Sequence, residues 1–297
     1  MSRAAGGEEI RRLCPAKVNL YLRVVRRRPD GYHDLVTVMQ PLSLADELTL
    51  RRGGTGVTLE CDDPRLPRGE ENLAVRAVLA FGREWGRPAA VHITLRKRIP
   101  LAAGLGGGSS DAAGTLLGLN DLLGKPLDMA ALHRLASGLG ADVPFFLLEG
   151  PAVGRGIGTE LTPLALPAYC YLLLNPGVPI STRGVYENLD LANLKAPVLE
   201  EWDPERPETW VHNDLATVTL TRFPELQDLL DSLAALGAQA QGMSGSGPTL
   251  FAIFPSLDTA REAAREMRHH FSGWMAITRG LTGAPKDAGW ENDLWMV

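Results

Sequence analysis

The run Pro100-Leu101-Ala102-Ala103-Gly104-Leu105-Gly106-Gly107-Gly108-Ser109-Ser110 constrains this chain more than any other stretch, because glycine at this density suits few backbone arrangements. Six of the seven positions from Gly104 to Ser110 are glycine or serine. Ahead of them Val91, Ile93 and Leu95 alternate with His92, Thr94 and Arg96, the period of a half-buried strand. Behind them Ala112, Leu116, Leu119 and Leu123 recur at helical spacing until Gly124 and Pro126 stop the run. The segment therefore joins a strand to a helix, with the helix expected to begin at Ser109 or Ser110. Converging backbone N–H groups and the positive end of the helix dipole make such a junction an anion pocket suited to a nucleotide's phosphates. No Gly-Lys-Ser/Thr closes the loop as in a Walker A motif, and G-x-G-x-x-S from Gly104 lacks the last glycine of a dinucleotide-binding turn. The plainer alternative is a glycine turn with ordinary serine capping.

The flanking sequence reads as mixed α and β. Val18 to Val25 and Glu47 to Leu50 predict strands, with Arg26 to Gly31 marking a loop between them. Leu73, Ala77, Ala80 and Phe81 share one face of a helix over Asn72 to Trp85, with Glu70 and Glu71 near its positive end. A second helix, Met129 to Gly138, has Asp128 as its N-cap, and an apolar run follows from Asp142 to Leu148. The glycines of Gly150 to Gly158 and the prolines at Pro163 and Pro167 suggest a boundary, dividing the chain into domains 1–162 and 163–297. Beyond it Tyr169 to Leu174 and Thr249 to Phe254 predict buried strands, and Leu226, Leu229, Leu233 and Leu236 a helix ended by Gly237. Met1 to Arg12 reads as a frayed tail, and Pro285 to Asp293 has no reading.

Composition removes several function classes. With 297 residues, 45% of them hydrophobic, the chain is long enough to build two ordinary cores. A formal charge of -5 gives no cationic field for nucleic acid or anionic membrane, so the run Arg26 to Arg28 is read as a solvated loop. Cys14, Cys61 and Cys170 lack paired spacing, which argues against disulfides and structural zinc and for a reducing cytoplasm. The apolar runs, such as Tyr169 to Leu174, fall far short of the ~20 residues that cross a bilayer.

The loop, continued through Asp111, Ala112 and Ala113, resembles the P-x-x-x-G-L-G-x-S-S-A-A signature of the GHMP kinases. Its extra glycine and Asp111 resemble the branch of that family that acts on a diphosphocytidyl-methylerythritol. Pro15-Ala16-Lys17-Val18-Asn19-Leu20, Pro29-Asp30-Gly31-Tyr32-His33 and Gly140-Ala141-Asp142-Val143-Pro144-Phe145-Phe146 agree with the same branch. Gly242-Met243-Ser244-Gly245-Ser246-Gly247-Pro248-Thr249 is similar to a turn shared across the family.

The resemblance implies a two-domain α+β fold: an N-terminal domain with a left-handed β-α-β unit and a C-terminal ferredoxin-like α+β domain. It also implies ATP as donor over Pro100 to Ser110; phosphoryl transfer from ATP then calls for Mg²⁺, with Ser110 as its best candidate ligand, and the chain is expected to be a monomer or homodimer without nucleic-acid or membrane partners. Asp142 would accept the hydroxyl proton late in phosphoryl transfer, and Lys17 would keep that carboxylate ionised and neutralise charge near the attacking oxygen. The acceptor would be 4-diphosphocytidyl-2-C-methyl-D-erythritol, contacted by Asn19, Tyr32, His33, Thr182 and Tyr186, with Tyr32 and Tyr186 flanking the cytosine. Without the family, each residue has a plainer role: Asp142 a helix cap, Lys17 a strand-end lysine, Asn19 a solvated polar group, Tyr186 a packing residue. Another acceptor alcohol, such as homoserine or mevalonate, and an inactive nucleotide-binding regulator remain the competing functions.

Overall fold

The computed structural model describes residues 9–148, 150–195, 202–283 and 295–296. Two long strands open the chain, β1 (Glu9–Arg27) and β2 (His33–Arg52), followed by β3 (Val57–Cys61), α1 (Leu73–Trp85) and β4 (Val91–Arg96). The helices α2 (Gly107–Leu122) and α3 (Met129–Leu139) lead through a 3-10 turn, Pro144–Leu147, to the strands β5 (Ala152–Arg155) and β6 (Glu160–Pro163). Packing divides the chain into two compact units of interleaved segments. The first takes residues up to Ala16, Ala45–Leu101 and Gly106–Glu149; the second takes Lys17–Leu44, Ala102–Leu105 and residues from Gly150 onward.

In the first unit, Glu47 to Arg52 of β2 pair antiparallel with β4, and β4 pairs parallel with β3. Parallel neighbours need a crossover, and α1 supplies it. Asn72 caps that helix by accepting the Ala74 N–H at 2.9 Å, and Gly86 ends it with φ at 72°. Leu48, Leu50, Ile93 and Leu95 form one apolar face, on which α2 lies closely: a Cβ at Gly118 would press on Leu50 and on the stems of Arg12 and Ile10. Residues 9–12 are therefore strand, not a frayed tail. Ile10 and Arg12 pack on α2, and Arg12 Nη1 meets Asp121 Oδ2 at 2.7 Å. Met1 to Glu8 and Pro285 to Asp293 lie outside the described residues.

The second unit carries the ferredoxin-like pattern. Its strands are β7 (Cys170–Asn175), β9 (Ala240–Met243), β10 (Leu250–Phe254) and β11 (Trp274–Arg279), with α6 (Glu225–Ala235) and α7 (Leu257–Met267) as crossovers. The sheet order β11-β7-β10-β9 is antiparallel throughout, as a split β-α-β arrangement requires, and β12 (Trp295–Met296) adds to its β11 edge. Leu172 and Leu174 of β7 and Ala252 and Phe254 of β10 share a core with Leu226, Leu230 and Leu233 of α6 and with Ala260 and Ala264 of α7. Elsewhere in this unit the short strand β8 (His212–Asn213) pairs parallel with β1, and Thr37 to Met39 of β2 pair with β5. The short helices α4 (Thr182–Glu187) and α5 (Ala216–Arg222) complete it.

Candidate active site

The helix after the glycine run starts earlier than the sequence implies. Gly106, with φ at 73°, turns the chain in a left-handed conformation that only glycine adopts freely, so Gly107 and Gly108 are already helical. Ser109 and Ser110 then fall inside the first turn, and the Ser110 N–H is spent on the Gly106 carbonyl at 2.9 Å. Helix geometry leaves the N–H groups of Gly107, Gly108 and Ser109 without intrahelical acceptors, the kind of donor set that an anion can satisfy.

Buried charge anchors this half of the loop in the first unit. Lys97 Nζ, just beyond β4, is shared between Asp46 Oδ2 on β2 and Asp111 Oδ2 on α2, the second contact at 2.6 Å. Asp46 Oδ1 in turn accepts the N–H groups of Arg98 at 2.6 Å and Ile99 at 2.9 Å. The three side chains thus tie the residues entering the glycine run to the helix that leaves it. Two carboxylates face one ammonium, so the group resists full ionisation. Burial first, and then the Asp46 charge, push the Asp111 carboxyl up to about 7, while Lys97 pulls the other way. Burial also raises Asp46 against the Lys97 charge. For Lys97 burial disfavours the charge, but Asp111 and Asp46 outweigh it and hold the ammonium above its usual range.

Ser110 is 1% exposed, and among the described residues its Oγ has no hydrogen-bond partner; Asp111 Oδ1 is orphaned in the same way. A buried hydroxyl oxygen without a partner in the first turn of a helix fits a hard cation that would take its other ligands from a bound anion and water. No cluster of three or more His, Cys, Asp or Glu poised for a metal occurs among the described residues. Asp142 lies half-buried in the turn before the 3-10 segment. The N-cap of that segment is Val143, which makes no side-chain capping bond.

The second unit gathers Lys17 and Asn19 on β1 with the turn Ser244 to Gly247. Lys17 is 3% exposed, and its Nζ donates to Asn19 Oδ1. Asn19 Nδ2 donates to Thr37 Oγ1 at 2.9 Å, and Thr37 donates onward to the Tyr21 carbonyl at 2.8 Å. The asparagine amide is thereby fixed with its oxygen toward the lysine. Ser244 Oγ accepts the Asn19 N–H at 3.2 Å and donates to the Gly104 carbonyl at 2.9 Å. A side chain at Gly104, where φ is 77°, would collide with the Ser244 carbonyl oxygen and reach within 3.2 Å of the Gly247 oxygen. The close approach that glycine permits here is thus made by the second glycine-serine turn.

Thr182, at the start of α4, meets Ser246 Oγ at 2.8 Å and so joins the same turn. The His33 and Tyr186 rings stack on each other, centroids 5.0 Å apart and 25° between planes, leaving no gap for a third ring between them. Burial, then the Arg27 charge, lower the His33 pKa and favour its neutral ring. Tyr32 stands at the loop tip, 62% exposed. Sequence reasoning assigns no role to Asp46, Lys97 or Asn213. For Asp46 a signal exists, since it shares the alternating strand face of Leu42, Leu44, Leu48 and Leu50, where a carboxylate needs a partner.

The mixed α and β fold of the two units agrees with the family comparison. The GHMP kinases N terminal domain model matches residues 72–150, and the GHMP kinases C terminal model matches residues 187–273. The chain belongs to the GHMP kinases. A 4-diphosphocytidyl-2-C-methyl-D-erythritol kinase of Syntrophus aciditrophicus is 48% identical over 260 residues, covering 84% of this chain and 92% of the relative. A crystal structure of 4-(cytidine 5'-diphospho)-2C-methyl-D-erythritol kinase superposes with a TM-score of 0.81 at 41% identity, covering 91% of this chain and 99% of that one. Homoserine kinase from Cytophaga hutchinsonii, at 20% identity and a TM-score of 0.73 over 95% of this chain and 98% of that one, shares the fold.

Proposed function

We propose that this chain transfers the γ-phosphoryl group of ATP to the 2-hydroxyl of 4-diphosphocytidyl-2-C-methyl-D-erythritol, a step of non-mevalonate isoprenoid precursor synthesis. The observation that carries it is identity of 48% over nearly the full length of a kinase named for that acceptor. Pro100 to Ser110 take the triphosphate, with the N–H groups of Gly107, Gly108 and Ser109 facing anionic oxygen. Mg²⁺, held chiefly by the phosphates with Ser110 Oγ as a protein ligand, would offset charge on the transferring group. Lys17, steadied by Asn19, supplies positive charge near the attacking oxygen. Asp142 accepts the hydroxyl proton.

His33 and Tyr186 offer the cytosine a stacked aromatic platform, with Tyr32 free to cover it and Thr182 beside it through its helix. The domains 1–162 and 163–297 follow the two family matches, which fall either side of residue 162, whereas packing places Lys17–Leu44, Ala102–Leu105 and residues from Gly150 onward in the second unit. We read the enzyme as cytoplasmic, which three cysteines without paired spacing suit, and as monomeric or homodimeric.

Steady-state turnover with ATP against a panel of acceptors tests the reading. The cytidyl substrate should be preferred strongly over homoserine, mevalonate and the same methylerythritol lacking its cytidyl group; equal turnover without that group would overturn the assignment. Asp142→Asn should lower kcat by roughly 10²–10⁴-fold while nucleotide binding, followed by calorimetry, persists. Unchanged turnover would remove Asp142 from the chemistry.

A further inference from the structure

Asn213 belongs to none of the motifs that the proposed reaction uses, yet its side chain is fully committed. Nδ2 donates to the carbonyls of Met243 and Gly245, each at 2.7 Å, while Oδ1 accepts the Leu215 N–H at 2.9 Å. Both donors of one amide therefore hold two carbonyls of the Met243 to Gly247 segment. The amide is itself referenced to β1, because β8 pairs with that strand in the register Tyr21↔His212 and Leu22↔Asn213. The adjacent Asp214, fully buried, locks the register: its N–H donates to the Leu22 carbonyl at 2.9 Å, Oδ2 accepts the Val24 N–H at 2.7 Å, and Oδ1 meets His212 Nε2 at 2.7 Å.

What Asn213 holds stands over Lys17. A Cβ on Gly245 would lie 3.4 Å from Asn19 Oδ1 and 3.9 Å from Lys17 Nζ, so the turn's backbone limits where that ammonium can go. A cavity of about 230 Å³, bordered by Asn19, His212, Asn213, Gln241 and Met243, lies beside this arrangement. With the two bonds gone, the turn has room to sag, and the Lys17–Asn19 pair loses its ceiling.

We propose that Asn213 is a positioning residue for phosphoryl transfer, holding the Met243 and Gly245 carbonyls so that the Ser244 to Gly247 turn keeps Lys17 and Asn19 in their working geometry. This rests on the reading of Lys17 given above. Asn213 acts through the turn and touches no reacting atom. Because a lysine displaced by an ångström loses charge stabilisation in the transition state more than it loses ground-state binding, the effect belongs in kcat.

The experiment measures kcat and both KM values for Asn213→Ala and Asn213→Asp in the full chain, with melting curves and binding of cytidine 5'-diphosphate. Aspartate keeps the size and the acceptor for Leu215 but sets an oxygen against two carbonyls, so it isolates the donor. Both variants should lose about 10²-fold in kcat with little change in either KM or in nucleotide binding. Ser244→Ala, which frees the same turn from Asn19 and Gly104, should also lower kcat. Combined with Asn213→Asp, it should lose far less than the product of the two single losses, because one displaced turn accounts for both.

Wild-type kcat in Asn213→Asp, losses confined to KM, or losses that multiply in the double variant would each overturn the proposal. Should Asn213→Ala not fold, Asn213→Asp and its cycle with Ser244→Ala decide the matter. Lys17→Met separates the two levels. If it retains turnover, the reading of Lys17 falls; if it loses turnover while the Asn213 variants do not, only the role of Asn213 falls.

Discussion

The glycine-rich segment is held in two chemically different ways. Residues on either side of its helical end are fixed in the first unit by the charges of Asp46, Lys97 and Asp111, all almost excluded from solvent. Residues Ala103 to Leu105 are fixed in the second unit by neutral bonds: Ser244 Oγ to the Gly104 carbonyl, the Lys17 N–H to the Leu105 carbonyl at 2.9 Å, and the Thr249 N–H to the Ala103 carbonyl at 3.4 Å. Buried charges hold firmly only as a complete set, and a missing member leaves the others unpaired in a medium that solvates them poorly. Neutral bonds contribute about 1 kcal/mol each and fix direction more than they add stability. The first anchor should therefore govern whether its unit stays folded, and the second how accurately the reacting groups stand.

The strongest way to break this contrast is Lys97→Met, which strands two carboxylates. Its unfolding free energy in urea should fall by about 3–5 kcal/mol. A loss below about 1 kcal/mol would mean that the carboxylates simply protonate and that charge does not hold this end. Gly104→Ala is the matching test of the neutral anchor. With φ at 77° and the Ser244 carbonyl in the path of the new methyl group, it should lose about 1–3 kcal/mol of stability. Because the displacement falls on the turn over Lys17, kcat should drop further than stability alone accounts for. Equal damage to stability from both substitutions would erase the distinction.

The most gradual effect is a pH slope. The folded Asp111 carboxyl titrates near 7, above an ordinary carboxyl, so the folded chain holds a proton that the unfolded chain has released. That contribution is complete below about pH 4 and is lost as pH rises through about 7, at no more than ~1.4 kcal/mol per pH unit. Urea midpoints between about pH 4 and 8 should accordingly decline for the native chain and flatten in Asp111→Asn; an unchanged slope in that variant would assign the proton to Asp46.

Much of this is legible along the chain wherever the governing interaction is local. The Asn72 and Asp128 caps, the strand before Pro100, the helix ended at Gly237 and the strand at Leu250–Phe254 follow from periodicity and capping chemistry within a few residues. The helix start departs from expectation for an equally local reason: serine is the commoner cap, but the left-handed Gly106 has already turned the backbone. The partnership of His33 with Tyr186 is hidden because two rings 153 positions apart give no periodic sign of meeting, and each by itself reads as facing a ligand.

The order of residues alone determined the glycine run, the elements around it and the family to which the chain belongs, because turn chemistry and amphipathic period act between neighbours. Only the tertiary structure decided that Lys97 bridges Asp46, 51 residues away, and Asp111, 14 away, and that Asn213 holds Gly245, 32 away. Such pairings depend on which strands become neighbours and in what register. That choice is made by burying whole apolar faces, and no short window of sequence contains it.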